Sequence, residues 1–309
     1  MPIQETSAAF LGATAHWTAA VRAQESERED PLVYDPWAAA LAGEQGEAWL
    51  AGRPEGSAIP ILLRTCFFDD FLQRISTEHP IRQIVLLAAG LDTRAFRLAW
   101  PEDVRLFELD QPEVLNDKEE ILQATAARPN CERRVIRKDL SRPWGDALTG
   151  EGFDPKRPSA WLLEGFLFYL PSETILQILD QVTRLAAPGS WLGFDAINEV
   201  MLTSPITKSW IDMQAQLGAP WIGTLDDPEG ALAALGWTAT LTQAGQPDAN
   251  YGRWTLPVIP VKMPGMPHNW FVTAQRLRGS VPVSGVQDFD AIREQVKVER
   301  ARRAASDVY

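Results

Sequence analysis

The stretch IVLLAAGLDTRAFRL at residues 84–98, followed by VRLFELD at 104–110, decides the fold of this chain. Ile84 to Leu87 make an unbroken apolar run that empties into a turn of small residues, Ala88-Ala89-Gly90, and the next apolar run closes on Glu108 and Asp110. Strands covered on both faces read as continuous hydrophobic runs, and such runs alternating with helical segments mark a parallel sheet sandwiched by helices. The pattern continues downstream. It predicts strands at 84–90, 104–110, 133–139, 159–167 and 190–197, then late strands at 238–245 and 269–277. After Pro171-Ser172, the segment ETILQILDQVTRLA sets Ile175, Leu179 and Val182 on one helical face; 205–218 and 228–235 read as further helices. The expected fold class is α/β, a doubly wound and mostly parallel sheet.

Residues 1–80 read as a helical N-terminal cap that also serves the substrate, with helix starts at Asp35-Pro36 before WAAALAG and at ILLRTCFFDDFLQRI. The sheet domain spans 81–279, with 198–223 and 246–268 as insertions near the substrate. Five prolines (Pro247, Pro257, Pro260, Pro264, Pro267) argue against a central strand in the second insertion. Residues 280–309 read as a C-terminal helical tail, in which Phe289, Ile292 and Val296 would give 287–304 an apolar face.

The chain has 309 residues and a net charge of −12, so a phosphate backbone or an anionic lipid surface would need a local basic patch, and none of useful size is visible. Nucleic acid and membrane are not expected partners. Two separated cysteines, Cys66 and Cys131, indicate neither a disulfide framework nor a zinc site. No segment reads as a signal peptide or a membrane span, and a cytoplasmic location is expected.

In a doubly wound sheet, ligands bind outside the carboxyl ends of the strands. Here those ends are acidic: Asp92 follows Gly90, Glu108 and Asp110 end the second strand, Asp139 the third, and Glu164 lies in the fourth. Asp110, 20 residues after Gly90, stands where a carboxylate grips an adenosine ribose. Each acid alone could equally be a helix cap or a surface ion pair. A dinucleotide would need a glycine-rich turn against its pyrophosphate, whereas this turn keeps one glycine and adds Asp92. S-adenosylmethionine has no phosphate and carries a sulfonium and an ammonium, which carboxylates attract.

The motifs LAAGLDTRAFRL, FELDQPEVLNDKE, Asp139-Leu140 and LEGFLFYLP, with TAHWTAAVRAQES, DPLVYDPWAAALAG and LLRTCFFDDFL upstream, resemble the bacterial branch of the leucine carboxyl methyltransferase family, over residues 14–278. The resemblance implies a Rossmann-like class I methyltransferase sheet and S-adenosylmethionine as donor, with no metal. It implies that Arg64 pairs with the donor's methionine carboxylate, that Gly90 lines the donor, and that Asp110 binds the ribose hydroxyls. Asp139 and Leu140 would frame the adenine, and Glu164 would face the ammonium and sulfonium, with Tyr169 close by. The family usually has Gly where this chain has Ala88, which puts a methyl group near the ligand.

Of three histidines, His16 lies on the helix that the resemblance sets over the site, which makes it the candidate base, with Tyr169 as a second catalytic candidate. His79 and His268 adjoin proline loops and read as structural. Trp210, Met213 and Trp221 near Asn198 and Glu199 suit a flat or apolar acceptor, although helical spacing also fits ordinary core. The expected activity is O-methylation of a carboxylate or a phenolic or alcohol oxygen of a small, polyketide-like or other specialised metabolite. Methylation of a peptide or protein C-terminus, or donor binding without catalysis, are the alternatives. A nicotinamide oxidoreductase is disfavoured by the missing glycines and Asp92.

Overall fold

In chain order the elements are α1 (Ala8–Ser26), α2 (Ala38–Ala51), α3 (Ile59–Glu78), β1 (Gln83–Leu87), α4 (Arg94–Arg97), β2 (Arg105–Asp110), α5 (Pro112–Ala124), β3 (Glu132–Arg137), α6 (Gly145–Gly150), β4 (Ala160–Leu163), α7 (Ser172–Leu185), β5 (Trp191–Ile197), α8 (Glu199–Thr203), α9 (Lys208–Gln216), α10 (Pro228–Ala234), β6 (Trp237–Thr242) and β7 (Asn269–Arg276). The structure, a computed structural model, describes residues 8–54, 56–216 and 218–277. The tail read as 280–309, with its helix at 287–304, lies outside the described residues.

The seven strands form one sheet in the order β3-β2-β1-β4-β5-β7-β6. β1 sits near the middle, pairs in parallel with β2 and β4, and is buried along its whole length. That is why its sequence is apolar without alternation. β3 joins β2 and β5 joins β4 in parallel, while β7 runs antiparallel to both β5 and β6. The strand order reverses between β1 and β4, so a crevice opens at their carboxyl ends.

One core packs α7 and α10 against the sheet, with Ile175, Leu179 and Val182 buried as their spacing predicts. The other face carries α3, whose Phe68, Phe71 and Leu72 pack with Ile84 and Leu86 of β1. The N-terminal helices are tied to the turn after β1 by a buried cluster: Arg22 donates from Nε to Asp35 at 2.8 Å and from Nη2 to the Leu91 carbonyl at 2.8 Å, and the Thr93 hydroxyl donates to Asp35 at 2.5 Å. A sequence-distant segment thereby closes one side of the crevice.

Two expectations change. The fourth strand, read as 159–167, stops at Leu163, because Gly165 turns the backbone with φ +66° and Leu167–Tyr169 form a single 3₁₀ turn. Apolar residues beyond Glu164 continue the hydrophobic run without continuing the strand. The helix read as 205–218 is the shorter α9, Lys208–Gln216, and a separate short helix, α8, precedes it at Glu199–Thr203.

Candidate functional site

A cavity of about 1320 Å³ opens at the carboxyl ends of β1, β2 and β4. It is lined by α1 and α3, by the turn after β1, by the segment after β4, by α9, and by the long connection between β6 and β7. Arg64, Ala88, Gly90, Asp92, Asp110, Asp139, Leu140, Glu164 and Tyr169 all line it.

At the β1 turn, Ala88 takes φ +54° and Gly90 φ +44°. A left-handed backbone is natural for glycine and costs an alanine roughly 1–2 kcal/mol. Asp110 reaches across from the end of β2. Its Oδ2 accepts from the Gly90 N–H at 2.6 Å and its Oδ1 from the Gln111 N–H at 2.7 Å. Burial pushes its carboxyl above the ordinary range, against the pull of those two N–H groups. Asp139, half-buried, accepts from the backbone N–H and hydroxyl of Ser141 at 2.9 and 2.7 Å, beside the buried Leu140.

Glu108 is different. It is fully buried beneath α5, where its carboxylate meets Lys118 at 2.7 Å and Arg133 at 2.8 Å. Among the strand-end acids it is the one claimed by an internal ion pair away from the cavity.

Arg64 and Glu164 belong to a wider network. Arg64 donates from Nε to Glu164 at 3.0 Å and from Nη1 to Asp195 at 2.9 Å. Arg94 meets Glu164 at 2.7 Å and Asp69 at 2.6 Å and also pairs with Asp92, while Arg97 donates to Asp69 at 2.8 Å. Burial works against the Arg64 charge, but Asp195 and Glu164 outweigh it and raise its pKa. Burial likewise opposes ionisation of Asp92, yet Arg94, Lys118 and Arg97 hold its carboxyl down at about 2. Three guanidiniums face four carboxylates, one negative charge in surplus. Two of the five N–H donors of Arg64 are thus engaged, which leaves donors on Nη1 and Nη2.

Sequence reasoning missed Asp195, Arg94 and Asp69. Asp195 is a fully buried acid inside the apolar strand WLGFDAI, and its Oδ1 accepts from the Gly165 N–H at 2.6 Å. A lone carboxylate in such a strand must find a buried partner, and that was the available signal.

The acceptor side is aromatic. Trp17 and Trp210 lie 5.9 Å apart, Trp210 and Trp221 6.0 Å, Trp221 and Phe168 4.3 Å, and Phe168 and Tyr169 4.8 Å between ring centroids. All five line the cavity, whereas Met213 does not. The Tyr169 hydroxyl neighbours Trp221 and Thr14, and burial raises its pKa. His16 does not line the cavity. Its Nδ1 lies 2.7 Å from the Leu41 carbonyl of α2, so the phase of α1 turns the ring into the α1–α2 contact. His79 packs on Trp191 and His268 on Trp270, also away from the cavity.

A donor fits this set of residues. A carboxylate braced by backbone N–H groups, an acidic turn that repels phosphate, and a network with surplus negative charge all suit a cationic, phosphate-free adenosine derivative. The leucine carboxyl methyltransferase family profile matches residues 15–183. The chain belongs to the leucine carboxyl methyltransferase family. A relative from Parafrankia sp. strain EAN1pec is 38% identical over 89% of this chain and 90% of its own length. One from Streptomyces coelicolor is 38% identical over 78% of this chain and 88% of its own. Both are named as S-adenosyl-L-methionine-dependent methyltransferases. The fold is shared with a crystal structure of a protein from Thermobifida fusca YX described as a methyltransferase (TM-score 0.55, 21% identical, 76% of this chain and 90% of that one). A protein of the DUF574 family from Streptomyces avermitilis gives 0.51 at 15% identity, over 84% of this chain and 96% of that one. This chain is thus an S-adenosylmethionine-dependent methyltransferase with a Rossmann-like sheet. Among the described residues no helix is long and apolar enough to cross a membrane, and no group of three or more His, Cys, Asp or Glu side chains is placed to hold a metal ion.

Proposed function

We propose that this methyltransferase transfers its methyl group to an oxygen, a carboxylate or an acidic phenol, of a small acceptor with a flat or apolar body. The observation that carries this reading is the aromatic wall from Trp17 to Tyr169, in a cavity that none of the chain's three histidines enters. A carboxylate is already ionised at neutral pH and needs no base, and an acidic phenol needs little help. The name of the family, which specifies a carboxyl group, supports the same choice.

S-adenosylmethionine, when bound, supplies a methyl group activated by its sulfonium. The residues of the chain position and screen. Asp110 is the acceptor for ribose hydroxyls, held by two backbone N–H groups so that its free lone pairs face the cavity. Asp139 accepts from the adenine amino group and Leu140 forms an apolar wall. Arg64 turns its remaining donors to the methionine carboxylate, and Glu164 and Asp92 provide negative potential for the ammonium and sulfonium. Gly90 and Ala88 line the donor through their backbone. Tyr169, kept protonated by burial, orients the acceptor through its hydroxyl and is not a base. Alignment of acceptor, methyl and sulfur of this kind can lower a barrier by up to about 7–11 kcal/mol.

The test is calorimetric titration with adenosylmethionine, adenosylhomocysteine and NADH, with Asp110→Ala and Arg64→Ala alongside, then transfer of labelled methyl to a panel of aromatic acids and phenols. The sulfur ligands bind and NADH does not. Loss of two charge-assisted hydrogen bonds weakens binding about 100-fold in Asp110→Ala. Binding that survives both substitutions undoes the donor assignment, and methylation of amines or thiols in preference to oxygen acids undoes the acceptor assignment.

A further inference from the structure

At the far end of the aromatic wall sits a cation that the donor network does not use. Arg53, at the end of α2, is only 9% exposed, and its guanidinium carbon lies 4.1 Å from the Trp17 ring centroid and 5.2 Å from those of Trp49 and Trp210. Among the described residues it has no carboxylate partner. Its one hydrogen bond runs from Nη2 to the Gln214 Oε1 at 3.2 Å, and its Nε and Nη1 are buried without an acceptor. Gln214, fully buried on α9, leaves its Nε2 unpartnered as well. Trp17, Trp210 and Gln214 line the cavity; Arg53 is not among the lining residues but is in contact with all three.

Three buried donors, one positive charge and no free acceptor form an incomplete set. Arginine does not shed its proton, so the charge persists, and indole faces stabilise it without using any of its N–H groups. What completes the set is an anion that accepts only, of a shape two or three N–H groups can hold. A carboxylate meets that description.

We propose that Arg53 and Gln214 form a carboxylate-recognition subsite, so that the acceptor carries an acidic group apart from the oxygen that is methylated. This rests on the methyltransferase reading of the cavity and adds to it a handle for orientation. The oxygens held there are charge-paired and hydrogen-bonded, which lowers their nucleophilicity. The group recognised by Arg53 is therefore the anchor, and another oxygen, towards the donor, receives the methyl. Trp17 and Trp210 enclose the body between the two.

The test uses the full chain, with and without saturating adenosylhomocysteine, titrated calorimetrically with 2-naphthoate and decanoate and with their amides as neutral isosteres. At least one acid binds the wild type 10-fold or more tightly than its amide. Arg53→Gln brings that ratio to within twofold of one, and Arg53→Lys keeps part of it. Gln214→Glu places a carboxylate beside Arg53, satisfies the cation from within, and also abolishes the preference; it decides the matter should Arg53→Gln fail to fold. Adenosylhomocysteine affinity is unchanged in all three variants. An acid-to-amide ratio near one in the wild type, or a ratio that survives Arg53→Gln or Gln214→Glu, overturns the subsite and leaves Arg53 as a brace between α2 and α9. Absence of adenosylhomocysteine binding to the wild type would instead undo the donor assignment, and the acid-to-amide comparison without it still reports on Arg53 alone.

Discussion

Ala88 carries a left-handed backbone without being a glycine, and the positions around it show how far single residues can be read before a structure exists. The β1 turn needs φ +54° at Ala88 whatever its side chain. A β-branched residue tolerates that region far worse than alanine does. Ala88→Val therefore destabilises the fold by about 2 kcal/mol, while Ala88→Gly leaves stability equal or higher; urea unfolding of both variants checks the order, and equal losses would mean that packing of the methyl group matters more than the backbone. Asp92 is a second case. Its folded pKa, about 2 against an ordinary 3.8, favours the ionised folded state. The stabilisation, about 2 kcal/mol by linkage, is whole above pH 4 and is lost as pH falls to 2. Asp92→Asn should lower stability by that amount at pH 7, with the difference from wild type closing between pH 4 and pH 2. A difference that stays constant across that range would show that Asp92 acts by shape alone. Asp110 and Asp195, which burial raises, have the opposite sign and gain folded-state stability on protonation, so only the variant difference isolates Asp92. Asp92, Asp110, Asp139 and Glu164 were legible because acids at strand ends stand out. Arg94 and Asp69 were not, since an arginine in LDTRAF and an aspartate in CFFDDF look like surface residues until a partner 25 positions away in the chain neutralises each.

At the scale of elements, the exit from β4 shows why apolar runs locate strands and misplace their ends. SAWLLEGFL is uniformly suited to burial, yet pairing stops at Leu163 because Gly165 reverses the backbone and the following residues turn into the 3₁₀ segment. The glycine also makes room. A Cβ on Gly165 would lie 3.0 Å from Arg64 Nη2 and 3.3 Å from its Cζ. Gly165→Ala thus strains the turn and pushes Arg64 off Glu164 and Asp195. We expect a loss of about 1–2 kcal/mol in stability from the backbone and about tenfold weaker adenosylhomocysteine binding, as one charge-assisted contact would be disturbed. Gly252→Ala is the control, since Gly252 has φ +71° and nothing within 4 Å of the added atom. It should share the backbone cost and leave ligand binding untouched. Equal binding losses in the two would show that Gly165 matters only through the turn. Helix phase was the harder reading. The sequence places His16 on a helix above the site, but about 100° of rotation, one residue, separates Trp17 in the cavity wall from His16 against Leu41, and only the packing of α1 on α2 selects between them.

The whole molecule adds a field to these local contacts. With a net charge of −12, and with one carboxylate in surplus in the network behind Arg64 and Arg94, the cavity lies in negative potential from near and far. Adenosylmethionine and adenosylhomocysteine differ by the methyl group and by the positive charge on sulfur, so the ratio of their affinities reads that potential directly. Salt screens the distant charges and leaves the buried ones nearly intact: the Debye length falls from about 30 Å at 0.01 M to about 3 Å at 1 M. If the distant surface contributes, the preference for the charged donor shrinks as salt rises across that range, while adenosylhomocysteine affinity changes little. If the buried carboxylates alone set the preference, the ratio is flat. The surplus charge lies in contact distance of the cavity and the surface charge does not, so most of the ratio should survive at 1 M and a minor part, a few-fold, should be lost. Calorimetry with both ligands at the two salt concentrations measures the split. Complete loss of the preference at 1 M would mean that Asp92 and Glu164, neutralised by Arg64 and Arg94, contribute nothing to sulfonium recognition, and would move donor selection from the strand ends to the surface of the protein.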